Sequence, residues 1–255
     1  MKKPVIVIGL GEMGSVFARA ILKHGHPVYP VSRSSDLNAL AAEIPSPEMV
    51  LIAVGENDLQ ATLKTIPTSW NNCIALLQNE LLPRDWADYD FAEPTVISVW
   101  FEKKKGQDFK VLISSPCVGR HASLLVDALA TLGIPAHQVS SATEMEEELL
   151  IKNVYILTTN ISGLMTKGNV EDLWDNHNEL AIEVANEVMD IQSTLVGHDI
   201  NRDKLIKGFK KGIDGDLAHM CMGRSAPGRL LRAIEQADSA QLAVSKLREI
   251  QQTTA

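Results

Sequence analysis

The stretch Val5-Ile6-Val7-Ile8-Gly9-Leu10-Gly11-Glu12-Met13-Gly14 constrains the fold more than any other part of the chain. A short, wholly apolar run ends in G-x-G-x-x-G and then turns helical, with Val16, Phe17, Ala20 and Ile21 recurring at i, i+1, i+4 and i+5. That is the sequence form of a strand, a tight turn and a helix N-terminus. Gly9 lets the strand turn sharply, Gly11 lets backbone approach a pyrophosphate, and Gly14 lets helix and strand pack closely. The helix start then presents unbonded N–H groups and a partial positive charge to phosphates. Gly9, Leu10, Gly11, Glu12, Met13 and Gly14 are therefore candidate cofactor-binding residues. The competing reading is a glycine-rich turn without a ligand. The context weighs against it: His24-Gly25-His26 closes the helix, and Pro27-Val28-Tyr29-Pro30-Val31 reads as the next strand of a βαβ unit.

The second strand ends at Ser32-Arg33-Ser34. In dinucleotide folds the adenosine ribose is read here. An acid would bond both ribose hydroxyls and repel a 2′-phosphate; an arginine flanked by serines suits that phosphate. Ser32 and Arg33 thus point to NADP(H), against the alternative of a solvated loop arginine. Met49-Val50-Leu51-Ile52-Ala53-Val54 reads as a third buried strand, followed by Gly55 and a helix over 59–65 that Asn57 or Asp58 would cap. Cys73-Ile74-Ala75-Leu76-Leu77-Gln78 reads as a fourth, with Asn79 at its carboxyl end. Ligands of open parallel sheets bind there, although a turn asparagine is equally at home.

Further strands are expected over 95–101, 109–114 and 134–139, with a hairpin tip at the basic run 102–106 and a helix over 123–131. The pattern then changes. Almost no β-type run follows residue 142; Thr143-x-x-Glu146 reads as a capping box opening a long helix to about residue 165. Further helices are expected over 179–196, ending at Gly197, and over 202–211 after an Asn201 cap. Two more are expected over 215–222 and 228–251. The expected architecture is α/β: a Rossmann-type doubly wound domain over 1–141, followed by an all-helical domain over 142–255 that holds substrate and dimerises.

Bulk properties narrow the partners. The net charge of −8 disfavours nonspecific binding to nucleic acid or anionic membrane. No apolar run approaches a membrane span, and Met1-Lys2-Lys3 leads straight into the first strand, without a signal peptide. Cys73, Cys117 and Cys221 are odd in number and far apart, which reads as free thiols in a reducing cytoplasm. No Cys/His spacing resembles a metal site.

Lys152 lies mid-helix with Tyr155, Ile156 and Thr159 on its face and Asn160 two turns along. A cleft lysine can protonate a carbonyl oxygen as hydride reaches the carbon, and burial lowers its pKa toward the useful range. The alternative is a surface lysine reaching water from an apolar stem.

With these residues in view, the chain resembles the ketopantoate reductase family over most of its length, and its helical half is similar to the C-terminal domain of 6-phosphogluconate dehydrogenase. The resemblance rests on the turn at 9–14, on Arg33, on Leu77-Gln78-Asn79 and on the Lys152 helix with Asn160. It implies that Arg33 binds the 2′-phosphate and that Asn79 contacts the reacting end of the ligands. It further implies that Lys152 is the general acid and that Asn160 binds substrate. The departures are specific. Gly55 stands where the family usually has a lysine, Ile156 where it has a second asparagine, and Glu80 where glycine usually follows Asn79. The late serine, aspartate and glutamate that grip the hydroxy acid give way to a stretch with Arg224, Arg229 and Arg232. Arg232 falls about where the glutamate would be and becomes a candidate contact for a more acidic substrate, with pairing to Glu235 and Asp238 as the alternative.

The expected function is an NADPH-dependent reductase of a small 2-keto acid or related carbonyl compound, with Lys152 and Asn79 catalytic. The alternative is a non-catalytic NADP-binding sensor that lost its substrate grip. A homodimer is the candidate assembly.

Overall fold

The computed structural model describes residues 2–254. Nine strands come first: β1 (Val5–Ile8), β2 (Val28–Val31), β3 (Met49–Ile52), β4 (Ile74–Leu76), β5 (Thr95–Ile97), β6 (Phe101–Lys103), β7 (Phe109–Val111), β8 (Ser115–Val118) and β9 (Ala136–Gln138). Interleaved with them are α1 (Glu12–Lys23), α2 (Leu37–Glu43), α3 (Leu59–Leu63) and α4 (Ala122–Ala130). The remaining chain is helical: α5 (Ala142–Thr166), α6 (Val170–Asn176), α7 (Asn178–Val196), α8 (Arg202–Gly215), α9 (Ala226–Ser239) and α10 (Ser245–Thr254). The chain packs as two compact units, one up to Glu148 and one from Leu149.

In the first unit a seven-stranded sheet runs β2-β1-β3-β4-β5-β8-β9, parallel from β2 to β5. β1 and β3 are buried at every residue, as apolar runs covered on both faces must be. β2 is an edge strand, which is why it tolerates Pro30 and exposed Tyr29. The chain order reverses between β1 and β3. That creates a switch point with a crevice outside the carboxyl ends of both strands. On one face, Val16, Phe17, Ala20 and Ile21 of α1 join Ala122, Leu125 and Leu129 of α4 in a single core with the sheet.

The apolar run expected to be one strand over 95–101 divides between two sheets. β5 stops at Ile97, Ser98 N bonds Pro116 O at 3.0 Å, and Trp100 N bonds Ser115 Oγ at 2.9 Å. Phe101 then opens the β6–β7 hairpin, whose turn is the basic segment. β8 has no counterpart among the expected strands; its Pro116, which lacks an N–H, enters the pairing through its carbonyl.

In the helical unit, α7 ends at Gly197 with φ 77°, and Asn201 caps α8 by accepting from Lys204 N at 3.0 Å, both as the sequence implies. Three expectations fail. The cap of α5 is not Thr143 with Glu146. Ser141 Oγ accepts from Glu144 N, and the Glu144 carboxylate accepts from Ser140 N and Oγ. The same box chemistry sits two residues earlier. No helix covers 215–222. That segment bonds sideways to the start of α6, through Val170 N to His219 O and Cys221 N to Gly168 O. The helix expected over 228–251 is two. α9 ends at Ser239, Gln241 and Val244 take left-handed φ, and the Glu187 carboxylate of α7 accepts from Lys246 N and Leu247 N to start α10. A cap supplied by another helix leaves no local signature.

Among the described residues no helix is long and apolar enough to cross a membrane, and no His, Cys, Asp and Glu cluster could hold a metal ion.

Candidate functional site

The glycine turn at the switch point is built by contact. Gly9 has φ 92°, and a Cβ there would lie 2.8 Å from Ala53 O; a Cβ on Gly14 would lie 1.9 Å from Gly9 O. Turn, helix and β3 therefore meet at distances only glycine permits. Gly11 differs: a Cβ there would meet no protein atom within 4 Å. Its missing side chain leaves space at the helix start, where a pyrophosphate would come. Gly11 is the N-cap of α1 and offers no side-chain acceptor, so the first N–H groups, on Glu12, Met13 and Gly14, remain for a ligand. Leu10 is exposed beside them. Glu12 puts a carboxylate in this first turn, but Lys103 Nζ of β6 holds it at 3.0 Å and offsets its charge.

A groove of about 1110 Å³ runs from this turn. Its walls are the carboxyl end of β1, the loop after β2 with Ser32, Arg33 and Ser35, and the loop after β3 from Ala53 to Asp58. Ser32 Oγ lies 3.0 Å from Ser34 Oγ and 3.2 Å from Ser35 Oγ, a cluster of hydroxyls beside Arg33. Asp58 does not cap α3 with its side chain; its carboxylate binds the Arg33 guanidinium at 3.2 Å instead. An adenine dinucleotide fits this groove by chemistry: open backbone at the phosphate end, arginine and hydroxyls at the ribose end.

Asn79 is half-buried just past β4. The residue before it does structural work that the sequence did not reveal: Gln78 Nε2 donates to Ile52 O at 2.7 Å and to Val54 O at 3.3 Å, tying the end of β4 to the end of β3. The residue after it, Glu80, has φ 62°. This is the left-handed region that glycine enters freely and glutamate does not, at the position where the resembled family has glycine.

In the helical unit, Lys152 of α5 is nine-tenths buried, with Nζ 5.8 Å from the centroid of the Tyr155 ring. Tyr155 in turn packs on Phe209 of α8 and on His219. Asn160 is fixed at both ends of its amide: Nδ2 donates to Cys221 O at 3.0 Å and Oδ1 accepts from Arg229 Nη1 at 2.7 Å. Gly163 permits this arrangement, since a Cβ there would lie 2.7 Å from Cys221 Cβ. The segment from His219 to Arg229 thus lies along the face of α5 that carries Tyr155 and Asn160. Arg232, the arginine singled out from the sequence, is half-buried on α9; it is Arg229 that is buried against Asn160. Asp238, the other acid near these arginines, binds Arg248. Asn153, one residue past the lysine, donates to Gln192 Oε1 of α7 at 3.0 Å and belongs to the packing.

The three cysteines are buried and free. Burial pushes the Cys73 thiol up to about 11 and those of Cys117 and Cys221 up to about 12, so none is a ready nucleophile.

No protein-family model matches the sequence, and no curated protein is similar to it. Solved structures do match. A PanE/ApbA family ketopantoate reductase from Ralstonia eutropha JMP134 superposes with a TM-score of 0.68 at 14% identity, over 100% of this chain and 97% of its own. A dimeric ketopantoate reductase from Staphylococcus aureus matches with 0.63 at 13% identity, over 99% and 100%. D-mandelate dehydrogenase, solved with NADH and anilino(oxo)acetate, matches with 0.66 at 11% identity, over 98% and 96%. At such identities the likeness establishes the architecture: a parallel-dominated sheet with flanking helices followed by a helical region, the ketopantoate reductase fold.

Proposed function

We propose that this protein is an NADPH-dependent reductase of a small 2-keto acid or related carbonyl compound. The observation that carries the reading is Lys152, an ammonium nine-tenths buried on an aromatic-lined helix face two turns before the doubly fixed Asn160, in a chain whose other unit has a dinucleotide groove. The reduced nicotinamide supplies hydride when bound. Residues 9–14 hold the pyrophosphate through the start of α1, and Ser32 and Arg33 hold the ribose end. Lys152 Nζ gives a proton to the carbonyl oxygen as that oxygen gains charge. Asn79 orients the reacting groups. Asn160 acts as a fixed amide between Cys221 O and Arg229, and Arg232 is the arginine that meets a substrate anion. The solved relatives named ketopantoate reductase and D-mandelate dehydrogenase support a nicotinamide-dependent oxidoreductase, and the dimeric relative supports a homodimer. The two units correspond to a cofactor domain and a substrate domain.

A second reading has its own observation. Gly55 and Ile156 replace a lysine and an asparagine of the resembled family, which fits an NADP-binding sensor without turnover. Oxidation of NADPH by the purified protein, measured against a panel of 2-keto acids from ketopantoate to dianionic ones, separates the two. Turnover with any member, best with a more anionic acid than ketopantoate, supports the reductase. Tight NADPH binding with no turnover across the panel supports the sensor.

A further inference from the structure

The loop after β3 brings an acid to the arginine expected to read the cofactor's 2′-phosphate. β3 ends at Ile52, a 3₁₀ turn covers Glu56–Asp58, and Asp58 stands at the N-cap position of α3. An aspartate there normally caps the helix by accepting from its first N–H groups. Here the backbone of Asp58 is helical, φ −93° and ψ −8°, and its side chain makes no capping bond. The carboxylate turns instead into the groove and binds Arg33, with the two side chains 57% and 93% exposed. Both residues line the groove, Arg33 from the loop after β2 and Asp58 from the loop after β3.

We propose that Asp58 is a cofactor-discriminating residue that works against Arg33. It rests on the dinucleotide reading of the groove. A cofactor with a 2′-phosphate must draw the guanidinium out of its pair with Asp58, and it then places a dianion near the carboxylate left behind. A cofactor with a plain ribose leaves the pair intact and meets no like charge. Asp58 therefore weakens NADPH binding and leaves NADH binding alone, so the groove accepts both cofactors and prefers NADPH less than Arg33 by itself would dictate. A bare arginine after the second strand announces NADP; an arginine with a counter-ion from the third announces a mixed site.

The test is the affinity of NADPH and NADH, by calorimetric titration, for the wild-type protein and for Asp58→Asn and Arg33→Ala. Asp58→Asn keeps the shape and the backbone carbonyl that accepts from Thr62 Oγ1, so the melting temperature should not move. An exposed pair is weak, so the expected gain for NADPH is about three- to tenfold, with NADH changing less than about twofold. Arg33→Ala should lose NADPH affinity and keep that for NADH. The fragments 2′,5′-ADP and 5′-AMP should repeat the contrast and tie it to the 2′-phosphate. Equal change for both cofactors, or no change for either, overturns the role of Asp58 and leaves the dinucleotide groove standing. Failure of the wild-type protein to bind either cofactor overturns the groove reading and this proposal with it.

Discussion

The glycine groove of the first unit and the α5 face of the second are built in opposite ways. The phosphate end of the groove is made of backbone. Its shape follows from what is missing at Gly9, Gly11 and Gly14, and its polar groups are N–H groups of a helix start; side chains enter only at the other end, with Ser32, Arg33 and Asp58. The α5 face is made of side chains drawn from distant segments: Lys152 and Asn160 from one helix, His219 and Cys221 from an irregular segment, Arg229 from α9. Backbone sites tolerate drift at their other positions, since any residue has the N–H. Side-chain sites do not, and substitutions there change what can be bound. The departures from the resembled family are in side chains in both regions, at Gly55 and Glu80 in the first unit and at Ile156 and the late arginines in the second, while the glycine turn is intact.

The largest expected effect comes from the side-chain region. Lys152→Ala should lower turnover on the best keto acid by roughly 10²–10⁴-fold, the scale of a lost general acid, while NADPH affinity stays within about twofold. Stopped-flow reduction and equilibrium titration read the two separately. Turnover close to wild type would remove Lys152 from the chemistry and leave the comparison without its catalytic half.

Gly11→Val tests the backbone half. A Cβ at Gly11 meets no protein atom within 4 Å, so the fold should survive, with a melting temperature lowered only by the poorer valine N-cap, while the ligand is excluded. Losing even two charge-assisted bonds of about 1.5 kcal/mol each predicts a fall of roughly 100-fold or more in affinity for both cofactors. Wild-type affinity in this variant would show that the phosphates lie elsewhere. Gly14→Ala is a different experiment, because its Cβ would strike Gly9 O and the fold itself should suffer.

Asn160→Leu sharpens the account of the second region. It removes the acceptor at 2.7 Å from Arg229 Nη1 and the donor to Cys221 O, all buried. Withdrawing one partner from a buried bond to a charged group costs about 1.5–3 kcal/mol, which should appear as a lower denaturation midpoint. A purely substrate-binding asparagine would raise KM and leave stability unchanged; that outcome would count against its role as a fixed amide.

The same division governs what could be read from the chain. The strand-turn-helix start, the cap at Asn201 and the stop at Gly197 all depend on residues within a few positions of one another, and each was legible. The split of α9 from α10 depends on Glu187, some sixty residues upstream. The loss of a helix over 215–222 depends on Gly168 and Val170 drawing its backbone bonds sideways. The choice of Arg229 over Arg232 as the buried arginine depends on where Asn160 sits on another helix. Asp58 shows the limit most plainly. Sequence marks it as a helix cap, and only the fold brings Arg33 close enough to claim it.

The smallest effect lies in the first unit, away from the groove, where side chains again depart from the backbone pattern. His121 precedes α4; its backbone N donates to Thr95 Oγ1 at 2.8 Å, and its Nδ1 lies 4.0 Å from Glu48 Oε1. Burial lowers its pKa below the usual 6.5; Glu48 pulls the other way, and Arg120 adds to the lowering. A histidine that resists protonation in the fold binds fewer protons than the same histidine unfolded. Stability therefore rises with pH across the window below 6.5, is fully present above it, and is lost as pH falls from 6.5 toward the lowered value. His121→Gln should flatten this part of the curve, measured as denaturation midpoint against pH from 7.5 down to 5. If the variant and wild type lose stability in parallel over that range, the loss belongs to other groups, and His24, also lowered by burial with help from Lys2, is the next to replace.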